Sequence, residues 1–392
     1  MSATPLRIGF IPLVDAAALV VAVDRGFARE EGLDITLVRE VSWSNVRDKL
    51  NLGLFDAAHL LAPVAIASSL GLGHLKMSTV APLTLAVNGN AITVSRALHA
   101  AIMAEATGEA TNPLTTAQAL ARVVAQRRQR GEEPLTFAMT FPFSTHNYQL
   151  RFWMAAGGVD PDNDVKLVVL PPPLMVDSLV GGQVDAFCVG APWNSVAVDQ
   201  GVGHILHLMS DLLVRAAEKV LALRLKWATN NPAIVAALVR ACRRAALFVE
   251  TPEHREEVAA ILARPDRLDV SPEIILRSLA GRLKVSPDGA TRASDRYLLI
   301  GRQDASRPEP VQAAWLFAQM VRWGQVRPTR EALEVAKAVF RPDLYDTAVG
   351  GDRDAAAPAP DDGIGAFTGP AFDVDDVEGY LASVGIRRPF SG

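Results

Sequence analysis

The chain has 392 residues, 49% of them hydrophobic, enough for a sizeable core and too many for wholesale disorder. Thirty-nine Lys and Arg against 43 Asp and Glu leave a net charge of -4, so there is no electrostatic footprint for nucleic acid or an anionic membrane. The only two cysteines, Cys188 and Cys242, lie far apart without C-x-x-C spacing, which excludes a disulfide framework and leaves no Cys/His cluster for a metal. Met1–Pro5 leads directly into Leu6-Arg-Ile-Gly-Phe-Ile-Pro12 with no basic, apolar or cleavage region of a leader, so a cytoplasmic protein is expected. No apolar stretch reaches the roughly 18–20 residues of a spanning helix.

The first half is organised by an internal repeat. Ile8–Pro12 reads as a strand and Ala16–Val23 as a helix. Leu33–Val38 is a second strand, followed by a helix from near Ser42, Gly53, and a third strand ending Asp56–Pro63. The order recurs in Phe137–Pro142, Asn147–Ala156, Val165–Leu170, Met175–Leu179, Gly182 and Asp185–Pro192. Asp56 to Asp185, Gly53 to Gly182 and Pro63 to Pro192 are each 129 positions apart, and Asp34 to Asp164 is 130. Each copy is a β-α-β-α-β unit with the continuous apolar runs of buried parallel strands. An α/β chain of two facing lobes follows, with a ligand pocket in the cleft beyond the strand ends. A single large α/β enzyme is the alternative.

The remainder reads as mostly helical. Two helical patterns in 96–130 are separated by Gly108 and Pro113, and Pro232–Phe248, Trp315–Trp323 and Arg330–Phe340 follow. Residues 350–370, rich in Asp, Ala, Gly and Pro, read as extended and poorly packed. A short amphipathic helix, Asp373–Val384, is expected to dock onto a lobe. Gly157-Gly158 and Gly181-Gly182 read as turn glycines.

The strand-to-helix turns identify the cleft residues. Several of them open helices, whose free N–H groups and positive dipole end favour anions. Ser144 or Thr145 is positioned to cap the helix that follows, and His146 beside them donates to an anion. His59 holds the equivalent place in the first lobe, either as a ligand or as a core histidine. Trp43 and Trp193 offer indole donors, or plug the cleft floor.

The runs Val41–Leu50, Asp56–Pro63, Ser144–Trp153, Phe187–Asn194 and Gln319–Gln325 resemble the nitrate/bicarbonate branch of solute-binding proteins. The likeness spans roughly residues 6–345, and within that branch the expected lack of a leader points to the cytoplasmic NasS-type sensors. It implies a two-lobed, type II periplasmic-binding-protein-like fold with a helical C-terminal region. The expected division is 1–90 with 206–345 as lobe 1, 91–205 as lobe 2, and 346–392 as an extended tail. Carried over position by position, the family's anion-binding histidine falls on His146 and its lysine on Lys219. The lysine lies in Ala-Glu-Lys where Pro-Glu-Lys is usual. The polar donor falls on Asn88 or Asn90, and a tryptophan of some transporter members aligns near Leu60, beside His59.

The resemblance implies no cofactor and a nitrate or nitrite ligand. It also implies a partner, an ANTAR-type RNA-binding antiterminator (NasT-type) that the anion releases, with no direct nucleic-acid or membrane contact. Substrate binding for a nitrate, nitrite or bicarbonate ABC transporter is the alternative. An enzyme on the same fold lacks support, because no nucleophile–base arrangement or phosphate loop is found.

Overall fold

The computed structural model describes residues 3–73, 75–350 and 360–390. In chain order the strands are β1 (Thr4–Phe10), β2 (Leu33–Arg39), β3 (Ala57–Leu61), β4 (Thr79–Asn88), β5 (Asn90–Ser95), β6 (Thr136–Met139) and β7 (Lys166–Val169). They continue as β8 (Ala186–Gly190), β9 (Gly203–Leu208), β10 (Ala217–Arg224), β11 (Arg282–Lys284), β12 (Thr291–Ala293) and β13 (Leu298–Leu299). Two large sheets result, ordered β13-β4-β10-β3-β1-β2 and β7-β6-β8-β5-β9. β1 pairs in parallel with β2 and β3, and β6 does the same with β7 and β8. An antiparallel strand then adds beside each third strand, β10 on β3 and β5 on β8.

The repeat is visible in the register. Ile8 pairs with Ala57, and Phe137 pairs with Ala186, which is the same pairing 129 positions on. Asp56 and Asp185 do matching work just before their strands: each carboxylate accepts a 2.8 Å bond from the backbone N–H of the neighbouring strand, at Arg7 and at Thr136. A short acid is suited to this because its oxygen reaches a backbone donor that the strand pairing leaves open.

The chain crosses between the sheets twice. Only Gly89 separates β4 from β5, and the return from β9 to β10 runs through a helix at Met209–Leu212 and on to Ala216. Asn88, in a left-handed conformation at φ 61°, stitches the two crossings together. Its side-chain oxygen accepts from the Ala216 N–H at 3.0 Å, and its amide donates to the carbonyls of Val214 and Arg296, both at 2.9 Å. Asn90 already lies in the second sheet, Ile205–Leu208 remain there, and the helix Pro342–Val349 runs past residue 345 to pack on the helix Pro232–Glu250.

The C-terminal region differs from the sequence expectation. Residues 351–359 of the expected extended stretch lie outside the described residues, but 360–372 fold into a bonded turn anchored by two buried side chains. The Asp362 carboxylate accepts from the N–H groups of Ile364, Gly365 and Phe372, and this turn buries Ile364 and Phe372. A Gly/Asp-rich composition therefore builds an Asx-type knot rather than a loose linker. The docking helix is Val377–Ser383, shorter than expected because Asp376 caps it, and it packs on the helix Pro310–Arg322. Beyond it, Arg388 pairs with Asp160 and Asp162 of the second lobe. Among the described residues no helix is long and apolar enough to cross a membrane.

Gly157 is more than a turn glycine. It ends the helix Thr145–Ala156 with an ordinary φ of -85°, but a Cβ there would overlap the backbone carbonyl of Ala117 on the helix Pro113–Gln129. Gly157→Ala is expected to destabilise the protein by about 3 kcal/mol, because neither helix backbone can yield in a packed core. Urea unfolding of the variant checks this, with Gly158→Ala (φ 89°, open space around it) as the milder control.

Candidate functional site

Each lobe delivers a helix to the cleft by the same local device. Ser42 and Ser144 share an extended backbone (φ -139°), and their hydroxyls cap the N–H groups of Asn45 and Asn147 at 3.3 and 3.1 Å. The caps aim the helices Trp43–Asn51 and Thr145–Ala156, which carry Trp43 on one side and Thr145 and His146 on the other.

Between them lies a sealed cluster of charged groups. Asp15, His59, His146, Glu218 and Lys219 are each at most 2% exposed. Lys219 Nζ lies 2.9 Å from Asp15 Oδ2 and 2.6 Å from Glu218 Oε1. Adjacent residues on a strand normally face opposite ways. Here β10 is irregular against β4 on both sides of Lys219, and that bulging lets Glu218 and Lys219 meet side by side. Asp15 approaches from the turn after β1, against Gly190 of β8, where a Cβ would stand 3.1 Å from Asp15 Oδ2.

The partners define the protonation states. His59 accepts from the Ile11 N–H at Nδ1 (3.4 Å), so Nε2 carries the proton and donates to Asp15 Oδ1 at 2.9 Å. Burial depresses His59 despite Asp15, so it stays neutral, and both its nitrogens are already engaged within the first lobe. Burial works to raise the Asp15 carboxyl, but Lys219 and His59 outweigh it and hold it down to about 2. Burial likewise opposes the Glu218 charge, and the neighbouring His146 and Lys219 outweigh it, so the carboxyl lies below its usual range. Burial would lower Lys219, but its two carboxylates keep it charged. Burial takes His146 down to about 4, against the pull of Glu218, so its imidazole is neutral near pH 7.

Of the expected residues, the structure brings together His146, Lys219, His59, Asn90, Thr145 and Trp43. Asn90 donates across the lobes to Glu218 at 2.9 Å and within its own lobe to Gln149 at 3.1 Å. Thr145 donates to the Ala217 carbonyl at 3.4 Å. The Trp43 ring lies 5.4 Å from the His59 ring and 5.3 Å from Lys219 Nζ. Asn88 is not among them, since both ends of its amide are consumed in the crossing stitch described above. Trp193 is half-buried against the second lobe's core, and no bond joins it to the cluster.

Sequence reasoning missed Asp15, Glu218 and Gln149. A carboxylate inside the apolar run Ile11–Val23, and a Glu-Lys pair inside a strand that is otherwise apolar, were the available signals. The cluster offers donors to an acceptor. The N–H groups of Trp43 Nε1 and Gln149 Nε2 and the ring nitrogen His146 Nε2 are buried without a protein partner, around one buried ammonium. Buried donors of this kind call for an acceptor. Among the described residues no group of three or more His, Cys, Asp or Glu is placed to hold a metal ion.

Two α/β lobes closing over a buried, donor-lined cluster define a solute-binding protein. The family is shown directly: residues 2–263 match the model of the NMT1-like family, and the chain belongs to it. It is 31% identical over 384 residues to the nitrate/nitrite binding protein NrtA of Synechococcus elongatus, covering 96% of this chain and 85% of that one. It is 32% identical to the nitrate import ATP-binding protein NrtC of Synechocystis over 98% of its own length, but spans only 55% of that relative. Likewise it spans 56% of the Synechocystis bicarbonate transport ATP-binding protein CmpC, at 32% identity. Among solved structures, the periplasmic nitrate-binding protein NrtA from Synechocystis superposes with a TM-score of 0.88 at 27% identity, covering 98% of this chain and 99% of that one. The fold is thus periplasmic-binding-protein-like, as the resemblance implied.

Proposed function

We propose that the chain binds nitrate or nitrite in the inter-lobe cluster and serves as the substrate-binding component of an ABC-type import system. The observation that carries this is Lys219, a fully buried ammonium at the junction of the two lobes with unpartnered donors around it. A monovalent anion taken out of water needs such a charge, and charge-assisted bonds supply the affinity. The names of the NrtA and NrtC relatives support the same ligand and the same kind of assembly.

Control of an ANTAR-type antiterminator in the cytoplasm is the second reading. The branch that the motifs resemble includes such sensors, and a net charge of -4 leaves contact with RNA to a partner. Both readings assign binding rather than catalysis.

Calorimetric titration with nitrate, nitrite and bicarbonate at constant ionic strength tests the ligand. Saturable heat with nitrate or nitrite is the expected result. Heat with bicarbonate alone moves the protein to the other ligand of its family, and no heat with any of the three removes the reading. Affinity capture with and without nitrate then separates the two uses. Permease and ATPase subunits mark the importer, while an RNA-binding antiterminator lost on adding nitrate marks the sensor.

A further inference from the structure

Resting on the anion-binding reading above, we propose that Glu218 is a built-in rival of the anion, so that each anion bound brings a proton into the pocket. The charges facing the cleft come from every element around it. Among the described residues Asp15 and Glu218 are ionised there, Lys219 is the one cation, and His59, Cys188 and Tyr297 are neutral. With His146 neutral, the sealed pocket carries a net charge of -1 before any ligand enters.

The two carboxylates play different parts. Asp15 bonds only within the first lobe, to His59 and Lys219, and is the standing counter-ion of the lysine. Glu218 instead reaches across the cleft. It accepts from Lys219 at 2.6 Å and from Asn90 at 2.9 Å, and it faces His146 Nδ1 at 3.4 Å. That is the donor set a bridging anion requires, drawn from both lobes, and a carboxylate of the protein already occupies it.

Nitrate and nitrite only accept hydrogen bonds, so they gain nothing from a carboxylate, and a second uncompensated negative charge in a dry pocket is costly. A proton on His146 removes the conflict. Its Nε2 is buried and without a partner, while Nδ1 lies between Thr140 Oγ1 at 3.0 Å and Glu218. The imidazolium donates to the anion through Nε2–H and to Glu218 through Nδ1–H. The proton comes from solvent, and the pocket returns to a net charge of -1 with the anion in place.

The test is nitrate calorimetry on the full chain between pH 6 and 8, in bis-Tris and in imidazole towards pH 6 and in Tris and in triethanolamine towards pH 8, pairs whose ionisation heats differ and so reveal the protons taken up. The wild type is expected to take up close to one proton per nitrate, with affinity weakening by nearly tenfold per pH unit on going alkaline. E218Q is expected to bind at least tenfold more tightly at pH 8, with its proton uptake largely gone. Wild-type binding that is independent of pH and buffer overturns the inference without touching the anion reading, and needs no variant. Weaker binding by a folded E218Q also overturns it, since Glu218 would then only position the donors. No heat from either protein at pH 6 with nitrate or with nitrite removes the nitrate/nitrite reading itself, and this inference with it.

Discussion

Lys219→Met is expected to abolish nitrate binding, with no saturable heat at millimolar nitrate, and to lower stability by about 3–5 kcal/mol. The second effect follows from burial, because removing the ammonium strands Asp15 and Glu218 in the interior without their counter-charge. Binding and folding separate in the double variant Lys219→Met with Glu218→Gln, which removes one stranded charge. Part of the lost stability should return, as read by urea unfolding, while nitrate binding should not. Nitrate binding by either variant at wild-type affinity would exclude Lys219 as the anion's counter-charge.

Acidification is expected to soften the protein well before its carboxylates titrate. Burial depresses His146 to about 4 and His207, wedged between Thr116 and Trp153, to about 3. Unfolded, both return to about 6.5 and bind protons that the folded state refuses. Their contribution to stability is therefore complete above about pH 6.5 and is lost progressively as pH falls towards 4 and 3. The interval between 6.5 and about 4 corresponds to about 3 kcal/mol for His146 alone. Asp15 acts with the same sign in a lower window, below its unfolded 3.8 and down to about 2. In the absence of nitrate, Tm should fall on the order of 10 °C between pH 7 and pH 4.5. His146→Gln should flatten that slope, and an unchanged Tm across the range would contradict the neutral buried histidines.

The paired architecture was legible in the sequence because it is written twice. Asp56 and Asp185 recur at one spacing because the same backbone donor must be satisfied in each lobe, and Ser42 and Ser144 cap the two cleft helices in one geometry. The cluster was only half legible. His146 stands out as a donor and Lys219 is reached through the family resemblance, whereas Asp15 and Glu218 run against the expectation that an anion pocket is lined by cations. Glu218 also depends on a strand irregularity that no alternation pattern reveals. Asn88 and Asn90 are indistinguishable by composition. Only the left-handed turn at Asn88 sends one amide into the crossing and leaves the other facing the cleft.

That same turn bears on how the two halves move. Because one amide fastens the outgoing and returning segments to each other, they are expected to bend together, giving the lobes a shared hinge, like a door on one pin. Any opening of the cleft is then expected to be read by one distance across its mouth, with a single pair of labels. Loosening Asn88 would add a second, twisting coordinate to the motion, without altering any group that meets the ligand.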